Sequence, residues 1–313
     1  MSKIAIINDT HWGVKNGSDL FLDYQSSFFQ ETFFPYLVEN NINRIIHLGD
    51  FFDHRKYINF KVLKHCYDTF ISSLEEHGIH MNIIIGNHDT YFKNTNELNS
   101  LHEMLRQYDC ITVHEKPTVV NYDGCEIQLI PWICADNKEE SLEAIKNSKA
   151  TILGGHLELS GFEVMRGIKS HEGGMTADLF SSYDLVMSGH FHTKSAKGDV
   201  HYLGTQFELT WSDSDDPKYF HVLDTETRDL TPVRNPDVMF NKLVYDDDKV
   251  PEITPALTNT YVKVIILNKK NLYAFDQWYD KLQKANPYEI KIVESFEEYL
   301  GESVEDEEVI TSD

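Results

Sequence analysis

Chemistry in this sequence is concentrated in five short polar groups: Asp9-Thr10-His11, Gly49-Asp50, Gly86-Asn87-His88-Asp89, Gly155-His156 and Gly189-His190-Phe191-His192. Together Asp9, Asp50, His11, His156, His190, His192 and Asn87 form a metal-ligand inventory of carboxylate, imidazole and amide donors. Mixed nitrogen and oxygen donors suit borderline divalent ions such as manganese, iron or zinc, whereas calcium prefers oxygen alone. These ligands are too many for one ion. Two ions about 3.5 to 4 Å apart can share Asp50 as a bridging carboxylate, and such a pair stabilises both the attacking and the leaving oxygen of a phosphoryl displacement. In Asp9-x-His11 and His190-x-His192 a two-residue step brings both side chains toward one point where the backbone curls after a strand. Any single histidine is more often a core or surface residue, and a Gly-Asp pair is ordinary turn material. It is the recurrence of the pattern along the chain that speaks for metal.

Something must bring these groups together, and the surrounding periodicities supply it. Residues 3–8, 44–48, 79–85, 151–153 and 185–187 are short apolar runs that break at the polar groups, as buried strands do at their ends. Between them, Phe29, Phe33, Tyr36 and Leu37 mark a helix over 22–39, and Phe60, Leu63, Tyr67, Ile71 and Leu74 mark another over 59–76. Active groups of open α/β sheets gather beyond strand carboxyl ends, so the five endings point to one shared site. A short helix is expected around Leu98, Leu101 and Leu105, then a hairpin over 118–131 turning at Asp123-Gly124. A helix over 139–147 and strands at 202–204 and 219–223 follow, and Pro232, Pro236, Pro251 and Pro255 suggest a linker. Beyond it, 261–267, 272–285 and 288–293 read as strand, helix and strand. The division expected is a main domain over 1–235, a linker and small cap over 236–298 and an acidic tail over 299–313.

The chain has 313 residues, with 28 Lys plus Arg against 51 Asp plus Glu, a net charge of −23. Such a balance excludes nucleic-acid binding through global positive charge, though not through local patches. Cys66, Cys110, Cys125 and Cys134 lack the paired spacing of a zinc site and read as free thiols in a reducing compartment. With no signal-peptide-like start and no long uncharged apolar stretch, a soluble protein of the cytoplasm, the host's if viral, is expected.

The motifs Asp9-x-His11, Gly49-Asp50-x-x-Asp53, Gly86-Asn87-His88-Asp89, Gly155-His156 and Gly189-His190-x-His192 resemble the full signature of the calcineurin-like metallophosphoesterase superfamily. Within it the chain most resembles the SbcD-type DNA double-strand-break repair nucleases, especially their T-even phage recombination members. The resemblance spans roughly residues 1–295 and is specific in the main domain; the cap matches by size and pattern only. It implies an α/β fold, a four-layer sandwich of two mixed sheets flanked by helices, followed by a small β-α-β capping domain. It also implies that Asp9, His11, Asp50 and His192 hold one ion while Asp50, Asn87, His156 and His190 hold the other, with manganese favoured and magnesium an alternative. In the family, water activated at the metal centre attacks a DNA phosphodiester, and the histidine matching His88 contacts the phosphate and assists the leaving oxygen. An imidazole with an ordinary pKa near 6.5 suits that task if it lies within about 3 Å of the oxygen. Asp89 is expected to orient His88 or to cap its loop.

One departure stands out. Many cellular members carry histidine where this chain has Asp53, which leaves Asp53 to orient His88 or to repel phosphate. The serine/threonine phosphatases of the superfamily carry Arg where this chain has His54 and Glu where it has Asp89, which weakens a phosphatase reading. Candidate DNA contacts follow the metal-binding strand ends: Trp12, Lys15, Arg55, Lys56, Tyr91, Lys93 and Lys194. They would position backbone without reading bases, with binding that weakens in salt. The resemblance implies 3′ to 5′ exonuclease action on duplex DNA and endonuclease action on single strands, in repair and recombination with an SbcC-like coiled-coil ATPase. It further implies a homodimer through helix 59–76 or 96–108. The alternative is a phosphomonoesterase or cyclic-nucleotide phosphodiesterase with the same centre.

Overall fold

The computed structural model describes residues 3–165, 168–170 and 174–294; the acidic tail lies outside them. Apolar runs become strands in chain order: β1 (Lys3–Ile7), β2 (Arg44–His47), β3 (His80–Ile84), β4 (Ile111–His114), β5 (Thr118–Tyr122), β6 (Cys125–Ile130) and β7 (Ile152–His156). A two-stranded ribbon, β8 (Glu163–Met165) with β9 (Ile168–Lys169), precedes β10 (Leu185–Gly189), β11 (Ser195–Lys197), β12 (Val200–Tyr202), β13 (Tyr219–Asp224) and β14 (Leu230–Arg234). One six-stranded sheet has the order β14-β13-β1-β2-β3-β4 and the other β11-β12-β10-β7-β6-β5. Strands β1 to β4 and β14 run in one direction with β13 reversed, and β6, β7, β10 and β12 run parallel with β5 and β11 reversed, so both sheets are mixed.

The inner faces meet in one apolar layer, with Ile4, Ile6, Ile46, Leu48 and Ile84 from the first sheet among Ile127, Leu129, Ile152 and Met187 from the second. The outer faces are covered as well, which is why β7 and β10 are buried along their whole length, and β1 beyond Lys3, rather than at alternate residues. Phe28 and Phe33 pack on Phe220 of β13, and Ile145 of the Lys138–Asn147 helix lies with Leu153, Val186 and Tyr202. Helix, sheet, sheet, helix is the expected four-layer sandwich. Both long helices contain a wide π turn, Phe28–Phe33 and Tyr67–Ile71, and Phe29 meets Phe70 edge to face at 4.8 Å. Widened turns bring Phe28 and Phe29, neighbours in sequence, both to the interior.

Two compact units emerge, one of residues 1–207 with 217–235, the other of 208–216 with the chain beyond 236. The second has its own core of Tyr245, Val262, Val264, Ile266, Phe275, Trp278 and Leu282. Its sheet is β15 (Phe240–Asp246), β16 (Tyr261–Asn268) and β17 (Glu289–Val293), all parallel, with the Leu272–Lys284 helix between the last two. The linker expected around the prolines is therefore corrected. Pro232 lies inside β14, which is tolerated because β14 is an edge strand, and β15 occupies residues read as linker. The expected helix around 96–108 is only Ser100–Leu105, capped by the Asn99 side chain accepting from His102 N.

Two histidines inside the first unit contribute to its acid response. Burial, then the Lys194 and His201 charges, pushes His221 down to about 3. Burial also takes His47 to about 3, Asp50 opposing and His156 and His11 assisting. Both are neutral when folded and protonate on unfolding below about pH 6.5, so their contribution is present above that pH and is lost as pH falls toward 3. Between pH 6 and 4 His221 should contribute a loss of about 1.4 kcal/mol per pH unit, so His221→Gln should flatten the pH dependence of the metal-free chain by that amount. Urea melts of the two chains across that range check this, and equal slopes would refute it.

Candidate metal centre

All five polar groups follow strands of the two facing sheets, β1, β2, β3, β7 and β10. The backbone there is unusual: Asp9, His11, Asp50 and His190 have φ of 48°, 43°, 55° and 84°. Non-glycine residues in this region are strained by about 1 to 3 kcal/mol each and persist where the surroundings hold them, characteristically at functional sites. Here the restraints are visible. His190 N donates to Asp9 Oδ2 at 3.0 Å, His88 N donates to Asp50 Oδ1 at 2.7 Å, and Asn8 Nδ2 donates to Asp9 Oδ2 at 2.6 Å and Gly204 O at 2.9 Å.

The side chains form three groups. Asp9, His11 and His192 make one, Asp50, His156 and His190 a second, and His11, Asp53 and His88 a third that shares His11 with the first, the donor atoms within each lying no more than 4.8 Å apart. Asn87 completes the second, its Oδ1 2.9 Å from both His156 Nε2 and His190 Nδ1. Asp50 stands between the first two: its Oδ2 is 3.3 Å from His156 Nε2 and 3.8 Å from His11 Nε2. His156 is turned by its Nδ1 donating to Leu48 O at 2.7 Å, which leaves Nε2 for the centre.

Electrostatics show what the pocket wants. Burial opposes charge on His11, but Asp53, Asp50 and Asp9 beside it prevail and raise it to about 9. Burial likewise opposes charge on His156, yet the Asp50 carboxylate, Asp9 and the Leu48 carbonyl raise it to about 9. His190, buried beside His156, is held well below its ordinary value. Asp50 is held well below the carboxylate range, burial being outweighed by His156, His88 and His11. Positive charge is drawn to the centre, and the His11 ring nitrogens, buried, make no hydrogen bond among the described residues. The donor set fits two divalent cations sharing Asp50.

Asp53 divides its duties. Its carboxylate Oδ1 is 3.3 Å from His11 Nδ1, and a carboxylate oxygen lies within 4.8 Å of a His88 ring nitrogen as well. Its backbone carbonyl accepts from His88 Nδ1 at 2.7 Å, fixing that ring with Nε2 unclaimed. Asp89 does not touch the His88 ring: its carboxylate accepts from Asp50 N, Phe51 N, Phe52 N and Gly86 N at 2.8 to 3.3 Å, tying the second and third loops together. Burial and the Asp50 charge push it up to about 7 against the Gly86 and Phe52 N–H donors and the His156 charge.

Among the expected DNA contacts, Lys15, Lys56, Tyr91, Lys93 and Lys194 are exposed and Arg55 is half-buried. Lys56 lies over the Tyr91 ring at 6.0 Å and Lys194 over Tyr219 at 5.1 Å. Trp12 departs from expectation: it is 1% exposed and stacks on Phe29 at 5.5 Å, which closes its ring to a phosphate backbone. Two supporting residues escaped the sequence reading. Asn8 was hidden next to Asp9, and buried Lys218, whose Nζ donates to His192 O at 3.0 Å, follows a loop with no periodic signal.

Close approach of backbone holds the loops in place. A Cβ on Gly86 would stand 2.1 Å from Asp50 Oδ1 and 2.3 Å from Asp50 N. Gly86→Ala should therefore displace Asp50, lower the melting temperature by at least about 5 °C and reduce metal content. Thermal melts and elemental analysis check it; wild-type values in both would refute the packing described.

A mixed four-layer sandwich with paired Asp, His and Asn groups at its strand ends defines a metal-dependent phosphoesterase, and a model of the calcineurin-like phosphoesterase family matches residues 2–194. The chain belongs to that family, whose members use divalent metals. It is 36% identical over 304 residues to exonuclease subunit 1 of Enterobacteria phage T4, covering 97% of this chain and 88% of the phage protein. Among solved structures, an archaeal phosphodiesterase superposes with a TM-score of 0.38 at 15% identity, over 74% of this chain and 99% of that one. No helix among the described residues is long and apolar enough to cross a membrane.

Proposed function

We propose that the chain is the nuclease subunit of a DNA-processing complex, cleaving phosphodiesters as a 3′ to 5′ exonuclease on duplex DNA and an endonuclease on single strands, with manganese preferred over magnesium. The observation that carries it is the pair of ligand groups joined through Asp50, in a chain similar along nearly its whole length to a phage exonuclease subunit. Asp9, His11, Asp50 and His192 would hold one cation, and Asp50, Asn87, His156 and His190 the other. When bound, the pair supplies Lewis acidity at the phosphate and lowers the proton affinity of the attacking water.

The chain's own groups do the rest. Asp53 orients His11 through its carboxylate and His88 through its carbonyl, so its negative charge is spent on an imidazole and is not presented to phosphate. His88, half-buried with Nε2 unclaimed, donates a proton to the departing oxygen. Lys15, Arg55, Lys56, Tyr91, Lys93 and Lys194 track the DNA backbone.

A net charge of −23 leaves this grip weak, which favours action with a partner, an SbcC-like coiled-coil ATPase, in recombination and repair. Exposed Phe60 (87%) and Tyr67 (39%) on the helical stretch over 60–77 support a homodimer through that face. Incubation with end-labelled duplex and single-stranded DNA across manganese, magnesium and zinc, alongside a small aryl phosphodiester, tests the reading. Stepwise shortening from 3′ ends with manganese is expected; turnover of the small diester with no DNA cleaved would give the site to a small-molecule phosphodiesterase instead.

A further inference from the structure

Beside the metal-ligand loops lies a cavity of about 140 Å³ whose lining includes Trp12, Asn16, Phe52, His54, Tyr57 and Asn59. Its wall is cut from the loops that carry the centre. Trp12 and His54 each follow directly on His11 and Asp53, one step of about 3.8 Å between Cα atoms, and Asp53 N donates to Trp12 O at 3.1 Å. A cavity near 150 Å³ lined by apolar groups holds one benzene ring, so the space suits a single six-membered ring.

The lining is also chemically unfinished. Trp12 Nε1, in a side chain 1% exposed, and His54 Nε2 are buried with no hydrogen-bond partner among the described residues, and the His54 atom has only Asp53 Oδ2 at 3.7 Å. At the mouth, His54 and Tyr57 stack at 4.7 Å with 23° between planes, and Tyr57 is 60% exposed. The adjoining loop is set rather than slack: Gly13, Lys15 and Asn16 have φ of 103°, 53° and 56°.

Resting on the nuclease reading above, we propose that this cavity is a base subsite, which takes the nucleobase next to the scissile phosphate. The base stacks on the exposed face of the Tyr57 ring, whose other neighbour is His54. Stacking is indifferent to charge, so it grips DNA where a chain of −23 repels phosphates. The subsite thus supplies what backbone contacts lack.

The test is a cycle on the full chain with manganese, crossing Tyr57→Ala with oligonucleotides that carry an abasic site on either side of the cleaved bond. Removing the ring or removing the base should each lower kcat/KM about tenfold, and removing both should cost no more than about twofold beyond either alone, since the two changes delete one contact. Tyr57→Phe, which keeps the ring, should cleave as the wild type does. A Tyr57→Ala chain that cleaves intact DNA normally, or loses tenfold equally on intact and abasic strands, would overturn the subsite while leaving the nuclease reading in place. A wild-type chain that hydrolyses a small aryl diester but no DNA would overturn that reading and the subsite with it.

Discussion

Asp50→Asn should reduce phosphodiester cleavage roughly 10³-fold or more while leaving the chain folded. The substitution keeps the shape of the side chain and removes the charge that both ligand groups share. Oδ1 accepts from His88 N at 2.7 Å, and an amide oxygen can still do so. Oδ2, 3.3 Å from His156 Nε2 and 3.8 Å from His11 Nε2, would be the nitrogen or a weak neutral donor. In the metal-free protein, His11 and His156 then lose the neighbour that helps raise them to about 9, and should titrate closer to neutrality. Elemental analysis after dialysis should show loss of metal, with the melting temperature separating this from unfolding. Retention of a full metal complement and of activity would mean that Asp50 bridges nothing.

His88→Ala should lower the rate by about 10²- to 10⁴-fold on DNA, the range for a positioned general acid, without changing metal content. The reason lies in the two ring nitrogens: Nδ1 is committed to Asp53 O at 2.7 Å, so only Nε2 is left to serve the substrate. Leaving-group chemistry gives the discriminating readout. An aryl diester departs as a stable phenolate and needs little protonation, so the same variant should lose far less on it than on DNA. Equal losses on both substrates would make His88 a phosphate-binding or structural residue instead of an acid.

The convergence of the five polar groups was legible because they repeat one syntax, an apolar run that stops at Asp, Asn or His, and they lie at the ends of β1, β2, β3, β7 and β10 in the two facing sheets. Strand β1 and the Asp123-Gly124 turn were legible for local reasons: buried strands are apolar on both faces, and left-handed φ of 56° and 96° favours Asp and Gly. The strands β14 and β15 were not, because Pro232 is excused only by an edge position and β15 is recruited by pairing with β16, neither of which is local information. The role of Asp53 was hidden for a related reason. Its two functions belong to different atoms, carboxylate toward His11 and carbonyl toward His88, and only the backbone path separates them. Trp12 was misplaced because it follows His11 directly in sequence, whereas its ring is packed on Phe29.

The most direct measurement is anomalous diffraction from crystals soaked in manganese. Two peaks are expected, one among Asp9, His11 and His192 and one among Asn87, His156 and His190, with the Asp50 carboxylate reaching both. A single peak, or two peaks neither of which Asp50 touches, would contradict the shared-carboxylate centre.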